Sequence, residues 1–374
     1  MKGFYLLLSP LFKNRDSGVL SKIQAQIKAL NDAGLETEML ACHYSAISYF
    51  EKIKKRFSRS SFIENIPNAF FFGDFYYFRH SAHNIIPILG LVKKIKQCGK
   101  GKIIIEIPTY PYYDEFGKNI LSRIKLLPDK IFTGQLKKYV DRIVTYSKDK
   151  VIFDIQTIQA KNGVDISTIP ISIKIDYELR SINLVVVANY NKWHGYDRII
   201  EGMREYYEQE KTVKVYLHFI GDGSALKSYR DLVEQYKLSE YVVFYGVLLE
   251  EELTNVYNKA NIAINSLGSH RINIYLTSAL KSKEYLARGI PIVSSTKIDV
   301  IPDGFRYCLY VPENDSPVDI EKIVRYYTDL LARKDINDIS QDIRQFAEDH
   351  CDISTTMLPI INYICQGSEY NGRG

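Results

Sequence analysis

A lysine and a glutamate three residues apart, Lys281 and Glu284, stand near the head of the segment ALKSKEYLARGIPIVS, residues 279–294. The spacing puts both on the first turn of a short helix, which Gly289 ends before the apolar strand 290–293. Unpaired backbone N–H groups and the positive end of the dipole make a helix start a seat for a diphosphate. Lys281 adds mobile positive charge there, and a carboxylate one turn on accepts hydrogen bonds from the two vicinal hydroxyls of a ribose. The chemistry indicated is the holding of a sugar nucleotide.

Such a pair needs elements that aim it at a ligand, and the preceding hundred residues supply them. VVVANYNKWHGYDRIIEGM reads as a buried strand, a polar loop with Lys192 and His194, then Gly195 and a helix with Ile199, Ile200 and Met203 on one face. YLHFIGDGSAL is a strand running into Gly221, Asp222 and Gly223, and VVFYGVL ends a strand at Gly246, two residues before Leu248. Strand, loop and helix recur in that order.

As an ordered set, KWHGYDRII, FIGDGS, VVFYGV, SALKSKEYLARGIPIV and the earlier KNGVD (161–165) resemble the retaining GT-B glycosyltransferases, especially bacterial enzymes that assemble capsular polysaccharide and exopolysaccharide. The resemblance implies an α/β protein of two doubly wound Rossmann-like domains facing a cleft. Residues 1–170 would bind the acceptor, with the tail 350–374 packing back on them. Residues 171–349 would bind a UDP- or GDP-sugar. It places Lys192, His194 and Gly195 at the donor diphosphate. His194 stands where a lysine is frequent, so its contribution would follow its protonation near neutral pH. It likewise places Gly18, Gly221, Asp222 and Gly223 close to the donor, Gly246 and Leu248 beside the base, and Glu284 on the ribose. Lys281 would neutralise the leaving diphosphate, and its loop neighbour Arg271 is a second candidate for that catalytic work.

One departure stands out. The family usually carries Glu-x7-Glu, but eight residues before Glu284 this chain has Leu276. Contacts to the donor sugar would then pass to the loop 268–278, with Ser269, His270, Arg271 and Asn273. A non-catalytic partner subunit that binds a nucleotide sugar stays open as an alternative, as does a nucleotide-sugar 2-epimerase of the same fold. No Asp-x-Asp occurs, so charge neutralisation by protein groups is expected, with no required metal or cofactor.

The bulk composition fits this frame. A chain of 374 residues, 46% hydrophobic and 25% charged, is long enough for two folded domains. The longest apolar stretch, near 84–92, is too short to span a bilayer, and the opening residues read as a buried first strand rather than a leader. Five cysteines without Cys-x-x-Cys spacing indicate reduced thiols and a cytoplasmic setting.

Strand candidates at 36–41, 75–79, 102–107 and 142–147, with helices between them, predict a first parallel sheet, and residues 166–181 read as the linker to the second. EIPTYPYYDE (106–115) gathers acidic and aromatic groups at a strand's C-terminal end, which makes Glu106, Thr109, Tyr110 and Tyr112 acceptor-site candidates. His80 and His83 have His-x-x-His spacing, but no further ligands gather around them in sequence, so no metal is assigned.

Charge divides unevenly. The first 170 residues hold 26 basic against 15 acidic residues, a balance of +11, and the remainder 23 against 29, or −6. The segment 49–62 interleaves Lys52, Lys54, Lys55, Arg56 and Arg59 with Tyr49, Phe50, Phe57 and Phe62. Such a segment suits an anionic bilayer, which would place the protein on the inner face of the cell membrane. Nucleic acid is not expected, since no recognised binding module accompanies the charge.

Overall fold

The structure is a computed structural model that describes residues 1–8, 17–41, 48–64, 66–112, 120–172 and 181–366. Residues 113–115 of the acidic aromatic segment, residues 173–180 of the expected linker, and Cys42 lie outside the described residues. The chain forms two compact units, Met1–Lys161 with Ile353–Gly374, and Asn162–Asp352.

In the first unit the order is β1 (Lys2–Leu7), α1 (Ser17–Asp32), β2 (Glu36–Ala41), α2 (Tyr49–Arg56), β3 (Phe75–Arg79), α3 (Ile85–Cys98), β4 (Lys102–Ile107), α4 (Ile120–Phe132), β5 (Arg142–Thr145), β6 (Val151–Ile152) and β7 (Ile155–Gln159). The sheet runs β2-β1-β3-β4-β5-β7-β6, parallel except for the β6–β7 pair. Its central strands are near-continuous apolar runs because helices cover both faces. Alternation along each strand divides them: Phe4, Leu6, Tyr76, Phe78, Ile103 and Ile105 pack on one side with α3, while Tyr5, Leu7, Phe75, Tyr77 and Ile104 pack on the other with α1.

The second unit continues with β8 (Ser181–Val187), α5 (Asp197–Tyr207), β9 (Lys214–Ile220), α6 (Leu226–Gln235), β10 (Val242–Gly246), α7 (Glu250–Lys259), β11 (Ile262–Ile264), β12 (Leu276–Thr277), α8 (Leu280–Ala287), β13 (Ile292–Ser294), β14 (Lys297–Ile298), β15 (Cys308–Tyr310), α9 (Ile320–Leu331) and α10 (Ile336–Cys351). Its all-parallel sheet runs β10-β9-β8-β11-β13-β15, and β12 pairs with β14 beside it. The helix α11 (Ile353–Cys365) belongs to the first unit, where Met357, Ile360 and Ile364 join the core around Ile23 and Leu30 of α1.

Three expectations for the first unit change. Gly18, expected close to the donor, lies inside the first turn of α1. Glu106, taken as an acceptor contact, is buried in β4. Lys22 Nζ donates to its Oε1 at 2.8 Å, and Tyr77 Oη and Gln26 Nε2 donate to Oε2 at 2.6 and 2.8 Å. Burial would push this carboxyl up, but the charges of Lys22 and Arg79 and the donated hydrogen bonds outweigh it and hold the carboxyl at about 2. Lys22 is itself buried, and burial lowers its pKa. Tyr112 is also buried, its hydroxyl bonded to Asp129, which in turn sits 3.0 Å from His80 Nε2. Of the four acceptor candidates only Thr109 and Tyr110 stay half-exposed, with Tyr110 edge-on to Phe153.

Candidate functional site

In the second sheet β8 is flanked by β9 on one side and β11 on the other, so the strand order reverses between β8 and β11. A crevice opens at the carboxyl ends of strands where such a reversal occurs. The loops leaving β8 and β11 meet there. Leu267 N donates to His194 O at 2.7 Å, and a Cβ on Gly195 would lie 2.5 Å from Gly268 N. Gly195 also has φ +69°, so both its conformation and its contact require glycine.

Lys281 reaches into this junction from the first turn of α8. Its Nζ donates to Tyr196 Oη at 2.7 Å, from the β8 side, and to Ser266 Oγ at 3.1 Å, from the β11 side. No carboxylate pairs with it among the described residues. The residue is half-buried but its ammonium is enclosed, and burial pulls its pKa down to about 7. The helix start beside it has Ala279 as N-cap, with no side chain capping the first N–H groups. A cation without a counter-ion next to uncapped N–H groups is a site for an anion.

Glu284 lies one turn on. Arg288 Nε donates to its Oε1 at 3.2 Å, and the buried Tyr257 phenol lies near its carboxylate. These contacts fix the side chain, which stays partly exposed. Glu284→Ala is expected to weaken nucleotide-sugar binding by about 1.5–3 kcal/mol, the scale of hydrogen bonds to a charged group. Calorimetric titration with a donor checks it, and unchanged affinity would remove Glu284 from the ribose.

His194 is buried against Tyr196, the two rings parallel at 5.6 Å, and its Nδ1 accepts from Asn191 N at 3.0 Å. Burial and the charge of Lys281 drive its pKa down to about 2. The imidazole is therefore neutral near pH 7, which corrects the expectation that its protonation would vary there. Lys192 is exposed on the same loop.

Gly221, Asp222 and Gly223 follow β9. A Cβ on Gly223 would stand 2.3 Å from the backbone of Tyr190, and Tyr190 N donates to Asp222 O at 2.6 Å. The turn thus braces the β8 loop while Asp222 stays exposed. Gly246 ends β10 with open space around it, its carbonyl accepting from Gly221 N at 2.7 Å, and Leu248 is half-buried close by.

Arg271 is not available as a cation for the diphosphate. Nη1 and Nη2 grip Asp197 at 2.9 and 2.7 Å, and Nε donates to Asp315 Oδ1 at 2.7 Å. His270 Nε2 lies 3.1 Å from the same oxygen, Ser269 is buried, and Asn273 caps the turn in a left-handed conformation. The loop's polar groups thus hold the loop itself. Leu276 sits in β12 opposite Lys297, its side chain partly exposed. Lys283, the other lysine of α8, is buried in an ion pair with Asp299, which leaves Lys281 as the helix's uncommitted charge.

Sequence reasoning missed Tyr196 and Ser266 as partners of Lys281, and Asp197 and Asp315 as partners of Arg271. Tyr196 could have been found, since it follows Gly195 directly in KWHGY; the aspartates carry no local signal.

In the basic segment, Lys55 Nζ pairs with Glu64 at 2.7 Å, Arg56 donates to the Lys125 carbonyl, and Phe62 is buried in the core. Lys52, Lys54 and Arg59 remain exposed. His83 Nδ1 lies 3.4 Å from Arg56 Nη2, so His80 and His83 serve different neighbours.

Residues 181–329 match the family described as Glycosyl transferases group 1. No curated protein sequence matches the chain. Among solved structures, sucrose-phosphate synthase from Thermosynechococcus elongatus is similar at 13% identity and a TM-score of 0.67, over 98% of this chain and 100% of that one. A glycosyltransferase from Rickettsia africae ESF-5 aligns at 13% identity and 0.62, over 98% and 99%. Anabaena HepE, solved in complex with UDP, aligns at 10% and 0.63, over 97% and 99%. Together with the two parallel sheets, these likenesses establish the GT-B fold of two Rossmann-like units.

Proposed function

We propose that the protein is a metal-independent retaining glycosyltransferase that moves a sugar from a nucleotide-diphosphate donor to a lipid-linked saccharide, in the building of a capsule or exopolysaccharide. The group 1 glycosyltransferase match over the second unit and the UDP-bound HepE support a UDP-sugar as donor. The observation that carries the reading is Lys281: a cation with no carboxylate partner among the described residues, at the uncapped start of α8, one turn from Glu284.

In this reading the diphosphate lies on the α8 N–H groups and Lys281, and the ribose hydroxyls bond to Glu284. The bond from the sugar's anomeric carbon to the diphosphate breaks with its electron pair leaving on phosphate oxygen. The acceptor hydroxyl bonds to that carbon on the same face, and its proton passes to the departing phosphate. The neutral His194 and the stacked Tyr196 keep water from the ammonium, so its attraction for charge growing on the leaving group is weakly screened.

The pH dependence follows from Lys281. With its pKa at about 7, the empty site loses its cation as pH rises through that value. A bound diphosphate restores the proton, so donor affinity is expected to fall above pH 7 and binding near pH 8 to take up close to one proton. Calorimetry in buffers of different ionisation enthalpy measures this uptake. An affinity flat from pH 6 to 9, with no proton taken up, would place the diphosphate away from Lys281.

The purified protein, incubated with a panel of UDP- and GDP-sugars and a membrane extract as acceptor, is expected to hydrolyse or transfer one of them. Leu276 in the place of the family's first glutamate favours one second reading, a sugar-nucleotide-binding partner of another transferase. Tight binding of a nucleotide sugar without turnover would select it.

A further inference from the structure

We infer that α2 and α4 together form a docking face for an anionic lipid bilayer, in which the apolar residues of both helices enter the interface. The inference extends the reading of a lipid-linked acceptor, and its new element is α4, which no charge pattern in the sequence singled out.

The two helices repeat one pattern. On α2 and its C-cap, Phe50, Ile53 and Phe57 stand at spacing i, i+3, i+7 and are 83, 40 and 53% exposed. On α4, Ile124, Leu127 and Ile131 have the same spacing and are 60, 52 and 59% exposed. Residues so spaced share one face of a helix. The inward face of α4 is already used, by the buried Leu126 and Asp129, so the outer stripe cannot turn into the core without exposing them.

The stripes are neighbours. Both helices pack on α3, and Arg56 Nη2 donates to the Lys125 carbonyl. Phe57 follows Arg56 and Ile124 precedes Lys125, so the hydrogen bond brings the ends of the two stripes together. Six large exposed apolar side chains on neighbouring helices are the kind of surface that marks an interaction site.

The charge around the patch identifies the occupant. Lys52, Lys54, Arg59 and Lys125 are exposed on or beside these helices, whereas Asp129 is buried, Glu64 pairs with Lys55, and Glu51 on α2 is half-buried. Apolar stripes rimmed by lysine and arginine complement a surface that is anionic outside and hydrocarbon within. A protein partner would need matching acidic groups around its own apolar patch; a bilayer of anionic lipid presents both at once.

The test uses the full chain with vesicles of phosphatidylglycerol and phosphatidylcholine, and with phosphatidylcholine alone. Wild type is expected to sediment with the anionic vesicles, partly resisting raised salt. Changing Lys52, Lys54 and Arg59 to glutamine should remove the salt-sensitive part. Changing Ile124, Leu127 and Ile131 to serine should weaken partition on the order of a hundredfold and abolish the salt-resistant part.

A single reporter guards against misfolding of the triple variants. Leu127→Trp should shift its emission to the blue on anionic vesicles and be quenched by brominated acyl chains, while the protein's own Trp193 in the second unit shows neither effect in wild type. Binding fully reversed by salt, an unquenched tryptophan at 127, or a lipid-free dimer lost in the serine variant would overturn the proposal, the last by assigning the face to a second copy. Donor titration of the same proteins separates the two readings. Retained donor binding without lipid binding sinks the docking face alone, and loss of both in wild type sinks the transferase reading as well.

Discussion

Replacing Lys281 by alanine is expected to lower turnover by about 10²- to 10³-fold, and to do so more than it raises the donor Michaelis constant. The magnitude is that of removing one pre-positioned stabilising group from an enclosed site, about 3–4 kcal/mol of barrier. The larger effect on turnover follows from when the charge is needed. In the resting complex the diphosphate shares its charge with the sugar's anomeric oxygen bond, and as that bond breaks a further negative charge develops opposite Nζ. Tyr196 and Ser266 hold the ammonium but offer it no negative charge, so the ligand meets it unneutralised. Steady-state kinetics over a range of donor concentrations reads both constants. Turnover preserved with only the Michaelis constant raised would make Lys281 a binding residue with no part in bond breaking.

The variant should also remain folded. Burial lowers the lysine's pKa from 10.5 in the unfolded chain to about 7, so the unfolded chain holds more protons between those values. The ionised lysine therefore costs the native state stability below pH 7, and this cost fades as pH rises toward 10.5. Its removal relieves a strain rather than breaking an ion pair, so the kinetic loss can be read as a loss of function.

The second large effect falls on the first unit. Glu106→Gln is expected to destabilise the protein by about 3–5 kcal/mol, because it leaves the buried Lys22 without a counter-charge. Urea unfolding at neutral pH measures the loss. The wild type adds a pH signature: with its carboxyl at about 2 in the fold and 4.5 unfolded, Glu106 contributes stability that is complete above 4.5 and drains away as pH falls toward 2. The glutamine variant should lack that component. A variant as stable as wild type but with a raised acceptor Michaelis constant would return Glu106 to the acceptor site.

The contrast between Lys281 and Glu106 shows what the sequence could and could not reveal. Strands such as 75–79 and 102–107 were legible because a parallel sheet covered on both faces leaves a continuous apolar run, and the helix α1 because its apolar period ends at a glycine. Lys281 and Glu284 were legible as a pair because one helical turn sets their spacing. Glu106 was not. At the C-terminal end of its strand and followed by proline and several tyrosines, it reads as an acceptor contact, and its partner Lys22 lies 84 residues away. Arg271 failed likewise: Asp197 and Asp315, which neutralise it, are 74 and 44 residues distant, and only the fold brings them together. Burial, too, is a property of the packed chain, and with the charge of Lys281 it turned His194 from a titrating group into a neutral one.

The most direct test of the whole account is a crystal structure of the protein soaked with UDP. The diphosphate is expected on the first turn of α8 within hydrogen-bond distance of Lys281 Nζ, and the ribose hydroxyls on the Glu284 carboxylate. A nucleotide bound elsewhere in the second unit, or one that leaves Lys281 on Tyr196 and Ser266 with no phosphate beside it, would contradict it.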